Sequence, residues 1–172
     1  MTNLVSSVRR ALLLCAALLY APTMLHAQSA DFAHFDVATD GDTIHLLSGQ
    51  GKKGAAEIAL FHRLSKDGGT WSKPRRLGSE DAKNADLAVA ADASLVAVWD
   101  DRSGAGSPLR MARSRDAGAN WSAVETIAAN RDATHPRVVA TSRGTLTLWF
   151  EGQPWSGAKL MANGRPIESA TP

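Results

Sequence analysis

An all-β fold of about three repeated units, each of four short antiparallel strands, is predicted by two features of the chain. First, the sequence repeats with a period near 50 residues: Asp86 to Trp99 aligns with Pro136 to Trp149, with Val89 on Val139, Ala90 on Ala140 and Trp99 on Trp149. Self-similarity at such a period marks architectures assembled from stacked supersecondary units. Second, the apolar residues come in short runs of Val, Leu, Ile, Thr and Trp broken by Asp-Gly, Asp-Ala-Ser or Ser-Arg-Gly, which are turn compositions between paired strands.

Each unit can be divided into its elements. An earlier copy begins at Asp36-Val37-Ala38-Thr39, so the units run over about 34–80, 84–130 and 134–172. In each, two strands flank the tight turn. A third strand follows at Glu57 to Leu64, Pro108 to Ser114 and Ala158 to Ala162, with Met111-Ala112 set against Met161-Ala162 at the same offset of 50. A short fourth is read at Lys73 to Leu77, Ala123 to Ile127 and Pro166 to Ser169. The alanine-rich stretch Asp81 to Ala97 is read as strand because its apolar residues do not keep a 3.6-residue period. Four short antiparallel strands per repeat is the composition of a β-propeller blade.

Residues 1–27 read as an export signal. Arg9 and Arg10 supply a basic start, Ala11 to Leu25 an apolar segment, and His26-Ala27-Gln28 a cleavage point after Ala27. About 15 apolar residues fall short of the roughly 20 needed to span a bilayer, so no membrane span is expected after cleavage. The expected location is therefore the periplasm or the outside of the cell, with residues 28–172 as the working domain. The chain has 19 Lys and Arg against 17 Asp and Glu, and the surplus is Arg9 and Arg10. Without them no basic surplus remains to argue for nucleic acid or an anionic membrane as partner. Cys15 and Tyr20, the one cysteine and the one tyrosine, lie in the same segment, which leaves no disulfide framework and no thiolate metal site. His34, His45, His62 and His135 show no short ligand spacing, so neither a metal nor another cofactor is expected.

The turn after the third strand is the most specific local pattern. Ser114-Arg115-Asp116-Ala117-Gly118-Ala119-Asn120-Trp121 has the form S-x-D-x-G-x-x-W, and Ser65-Lys66-Asp67-Gly68-Gly69-Thr70-Trp71 has it one residue short before the tryptophan. The third unit offers only Asn163-Gly164-Arg165-Pro166 there. In such a turn aspartate accepts hydrogen bonds from nearby backbone N–H groups, glycine takes conformations other residues resist, and tryptophan buries a large ring. This pattern resembles the Asp-box of the sialidase or BNR-repeat propeller superfamily. The resemblance implies structural roles for Ser65, Asp67, Gly69, Trp71, Ser114, Asp116, Gly118 and Trp121, at the end of the blades away from any active site. It also implies a six-bladed catalytic domain in which arginines clamp the substrate carboxylate, a tyrosine paired with glutamate is the nucleophile, and an aspartate is the acid/base. With Tyr20 inside the export signal, that nucleophile is missing from residues 28–172. Closed propellers have about four to eight blades. Three units are therefore expected to pair as a homo-dimer or with another completing partner, to stand open, or to be a remnant of a longer ancestor.

Strand alternation puts the second-to-third loops and the unit connections at the opposite end from these turns. Asp100, Asp101 and Arg102 follow Trp99, and Glu151 and Trp155 follow Trp149. The connections bring His34 and Asp36, Asn84 and Asp86, and His135 and Arg137. Carboxylates, arginines, histidines and a tryptophan together suit recognition of a polar ligand. The expectation is thus a non-catalytic module that binds a glycan or a protein through Asp100, Asp101, Arg102, His135, Arg137, Glu151 and Trp155. The alternative is a sialidase-related glycosidase completed by oligomerisation, with Asp101 or Glu151 as its carboxylate catalyst.

Overall fold

The computed structural model describes residues 31–51, 57–78, 81–102, 107–129, 133–152 and 157–168. Residues 1–27 and Trp155 lie outside them. Within these residues the chain is all strand and turn. The first sheet contains β1 (Asp31–Asp40), β2 (Thr43–Gly51), β3 (Ala59–Ser65) and β4 (Arg75–Leu77), hydrogen-bonded in that order. The second contains β5 (Ala82–Val89), β6 (Leu95–Asp101), β7 (Leu109–Ser114) and β8 (Glu125–Ala128). The third contains β9 (Ala133–Thr141), β10 (Gly144–Glu151), β11 (Lys159–Ala162) and β12 (Arg165–Pro166). All pairings are antiparallel. The fold is that of propeller-type blades, and the alanine-rich segment forms β5 and β6.

The blades stack face to face in an open row, with the first strands β1, β5 and β9 in contact along the inner edge. Alternation along each strand produces two buried faces on the middle blade. Leu87, Leu95, Ala97, Trp99 and Ala112 pack against Leu47, Leu60 and Leu77 of the first blade. Ala88, Val96, Val98 and Met111 pack against Val138 of the third, where Leu109 also meets Ala133, Trp149 and Met161. The middle strand β6 is buried throughout, as a strand covered on both faces must be. Gly78, with φ of 65°, lets the first blade lie on the Trp99 ring, where a Cβ would come within 2.6 Å.

The strand registers correct the uniform offset of 50. Trp99 lies opposite Arg110, whereas Trp149 lies opposite Met161. The third strands are therefore equivalent at an offset of 51, and Met111 and Met161 occupy opposite faces of their blades. In the first strands Asp36 faces Leu47, Asp86 faces Val98 and Arg137 faces Leu148. The equivalent of Asp36 and Asp86 in the third blade is thus Arg137, not Pro136.

Those positions carry the clamp between blades. The Asp36 carboxylate accepts the backbone N–H of Leu87 at 2.7 Å, and the Asp86 carboxylate accepts that of Val138 at 2.6 Å. Each inner-strand aspartate thereby satisfies a buried donor on the next blade that no ladder bond reaches. Asp86 also takes Arg137 Nη1 at 2.6 Å. Replacing Asp86 with alanine leaves the Val138 N–H orphaned, while the Arg137 side chain, 66% exposed, is rehydrated at little cost. We expect a loss of about 2 kcal/mol in urea unfolding. A change below about 0.5 kcal/mol would show that the clamp is only incidental.

Candidate functional site

Two polar regions stand at opposite ends of the blades. Along β6 the five steps from Leu95, opposite Ser114, to Asp100 separate them by about 17 Å.

At the first end are the two serine–aspartate turns. Ser114 Oγ donates to Asp116 at 2.8 Å and accepts the Gly118 N–H at 2.8 Å, while Asp116 accepts the N–H and side-chain amide of Asn120. In the shorter turn Ser65 Oγ donates to Asp67 and accepts the Gly68 N–H, and Asp67 accepts the N–H groups of Gly69 and Thr70. Missing one residue, this turn moves its left-handed glycine forward: Gly68 has φ of 70°, in the role of Gly118 at 84°. Gly68, and not the Gly69 expected from the pattern, therefore fills that place. The hydrogen bonds hold the Asp67 and Asp116 carboxyls down to about 2, with the N–H of Thr70 and of Asn120 the largest causes. Trp121 stands edge-on to His62 with ring centroids 5.4 Å apart, and His62 Nε2 lies 3.1 Å from His45 Nδ1. All of these groups are engaged in holding the turn and the joint between the first two blades.

At the other end a polar cluster forms at the inner edge. Each inner strand carries a one-residue bulge, between Phe32 and His34 in β1, Lys83 and Asp86 in β5, and opposite Leu148–Phe150 in β9. Bulges re-aim side chains. His34, Asn84 and His135 stand two residues before Asp36, Asp86 and Arg137, although by register His34, opposite Gly49, matches Lys83 and Thr134, and Asn84 and His135 are the bulged residues that follow them. Asn84 and His135 share a left-handed backbone, with φ of 50° and 52°. All three surround Asp100. Asn84 Nδ2 and Thr134 Oγ1 donate to Asp100 Oδ2 at 2.7 and 2.8 Å, and Arg102 Nη2 approaches it at 3.6 Å. Thr134 Oγ1 is also within 3.0 Å of His135 Nδ1. Position 49 is glycine, and the His34 ring fills the space where its Cβ would stand.

Burial dominates the electrostatics of this cluster. It pushes the Asp100 carboxyl above the usual carboxylate range, opposed by the Asn84 and Thr134 hydrogen bonds and the charges of Arg102 and His135. It pushes His34 down, opposed by the charge of Asp100. Asp100 Oδ1 and His34 Nε2 are buried and accept or donate no hydrogen bond among the described residues. Asp36, only half-buried, is also raised by burial, with the Leu87 N–H as the first opposing cause.

The residues expected from sequence separate in this geometry. Asp100, Arg102 and His135 come together. Asp101 does not: one step further along β6, it faces the first blade and binds Arg110 at 3.0 Å. Both aspartates lie within the buried strand rather than in the loop after it. Arg137 is engaged with Asp86, and Glu151 ends β10 opposite Lys159 and Ala133. His34, Asn84 and Thr134 belong to the cluster although they were outside the expected binding set. The recurrence of a polar residue two places before Asp36, Asp86 and Arg137 was the available signal. Among the described residues no group of His, Cys, Asp and Glu is arranged to hold a metal ion.

Solved structures share this arrangement of three four-stranded antiparallel sheets. They include a protein of unknown function from Dyadobacter fermentans, with a TM-score of 0.59 and 16% identity over 78% of this chain and 50% of that one. A Hadza microbial sialidase aligns with a TM-score of 0.53 and 16% identity over 77% of this chain and 31% of that one. A glycosyl hydrolase from Bacteroides ovatus aligns with a TM-score of 0.52 and 13% identity over 83% and 50%. The chain has a fold that glycosyl hydrolases use. It spans half or less of the length of each of these proteins, and at 13–16% identity the likeness is one of fold. No protein-family model and no curated protein matches the sequence.

Proposed function

We propose that the chain is an exported Asp-box repeat protein that binds an acidic glycan, without catalysis, at the blade end organised by Asp100. The observation that carries this reading is the division of labour in the cluster. Asp100 is fully buried and bonded by Asn84 and Thr134, while Arg102 and His135, both exposed, stand at its edge. A buried carboxylate that orients exposed cationic and imidazole donors suits the recognition of an anionic group. The export signal in residues 1–27 supports a periplasmic or extracellular setting, where glycans are at hand. Balanced charge outside that signal disfavours nucleic acid.

A glycosidase would need an available carboxylate pair. Asp101 is committed to Arg110, and no tyrosine lies beyond Tyr20. The test is binding to an array of acidic and neutral glycans, alongside turnover of fluorogenic sialosides and other glycosides. We expect retention on acidic glycans that weakens about tenfold in Arg102→Ala and again in His135→Ala, with unchanged circular dichroism. Absence of glycan binding would overturn the proposal. So would turnover that disappears in Asp101→Ala.

A further inference from the structure

The two outer faces of the row are apolar, and their inner edges are oppositely charged. Ala38 faces the second blade, so Phe35 and Val37 point away from it, and they are 71% and 46% exposed. On the third blade Val138, Trp149 and Met161 face inward. Their neighbours Val139, Phe150 and Leu160 point outward at 45%, 37% and 37% exposure. Such faces, with sheet edges unpaired beyond them, call for a partner.

We infer that the partner is a second copy of this chain, joined head to tail, with the outer face of its first blade on the outer face of the third blade, and the reverse contact closing a two-fold ring of six blades. Charge order selects this partner. Where the second blade meets the third, an aspartate of the earlier blade, Asp86, pairs with Arg137 of the later one. Asp36, Asp86 and Arg137 are equivalent by register, so the joint between copies sets Arg137 beside Asp36 of the other chain. The ion pair is kept with its signs exchanged. Arg137 would then lie between two carboxylates, Asp86 of its own chain and Asp36 of the other. The ion pair alone is carried over, not the clamp: Arg137, a donor, stands where Asp36 and Asp86 accept an N–H of the next blade. Heterologous contacts form rings only when the rotation closes, and six blades is within the four to eight of closed propellers.

The experiment is sedimentation and light scattering of the exported chain, with two face variants. The parent should have the mass of two chains. Val139→Lys and Phe35→Glu should each be monomeric, with dissociation constants raised about tenfold or more and native circular dichroism, because each alters both joints of a head-to-tail ring. Mixing the two variants should restore a dimer, since one joint is then of parent sequence. A monomeric parent would overturn the inference, as would masses that grow beyond two chains. Dissociation by only one of the variants would point to like-to-like pairing and overturn it as well.

Discussion

Replacing Gly118 with alanine should destabilise the protein by about 3 kcal/mol. Two costs combine. Gly118 has φ of 84°, where a Cβ is disfavoured by about 1–2 kcal/mol. The new methyl would also stand 2.1 Å from Cε1 and 2.4 Å from Nδ1 of His62. That ring has no easy retreat, because it is held by His45 on one side and by the edge of Trp121 on the other. Since Gly118 belongs to the second blade and His62 to the first, the strain falls on the joint between them. The matching change at Gly68 isolates the two costs. Its φ of 70° carries the same conformational penalty, but its Cβ would meet only Ile44 Cδ1 at 3.9 Å. We therefore expect about 1 kcal/mol for Gly68→Ala. The comparison is made by urea unfolding of both variants beside the parent. Equal losses at the two glycines would mean that the His62 contact yields freely.

Acidification from pH 7 to pH 4 should remove on the order of 3 kcal/mol of stability, through His62. Burial is the first cause that lowers its pKa from the ordinary 6.5 to about 4, helped by the charges of His45 and Arg75. Between those values the unfolded chain binds a proton that the folded chain refuses. The contribution of neutral His62 is therefore fully present above pH 6.5 and is lost as the pH falls towards 4. His45 is shifted in the same direction, chiefly by burial, and adds to the loss. Asp36 and Asp100 act oppositely, since burial raises them and their protonation favours the folded state from above pH 3.8. They make the acid end of the curve shallower. Below pH 3.8 the two turn carboxylates, Asp67 and Asp116, begin to lose their contribution as well. Unfolding free energies at pH 7.5, 5.5 and 4.5 test this, with His62→Gln as the comparison. The parent should lose stability steeply over that range and the variant much less. Parallel curves would assign the loss to other groups.

Much of the blade pattern was legible because it is written in local chemistry. Asp116 reaches no further than Asn120 for its hydrogen bonds, and Ser65 no further than Gly68. Strand pairs such as β5 and β6 meet across a short turn at Asp92 to Ser94, where the Asp92 side chain accepts both donors of Ser94. Interactions confined to a few residues leave their signature in spacing and composition, and the repeat then copies that signature three times. The inner-edge cluster was half legible for the same reason: His34, Asn84 and His135 recur beside Asp36, Asp86 and Arg137.

The sequence by itself determined the all-strand composition, the three units and the turns that join third to fourth strands. Only the tertiary structure decided which face each side chain serves. Asp100 and Asp101 are neighbours in one strand, yet Asp100 faces the third blade and gathers Asn84, Thr134 and Arg102, while Asp101 faces the first and is taken by Arg110. The physical reason is the two-residue period of a β-strand, in which one extra residue exchanges the faces. Hairpin loops that differ by one residue between the second and third units introduce such shifts. They put Arg137 in the place of the clamp aspartate and separate Met111 from Met161, changes that alignment at a constant offset of 50 conceals.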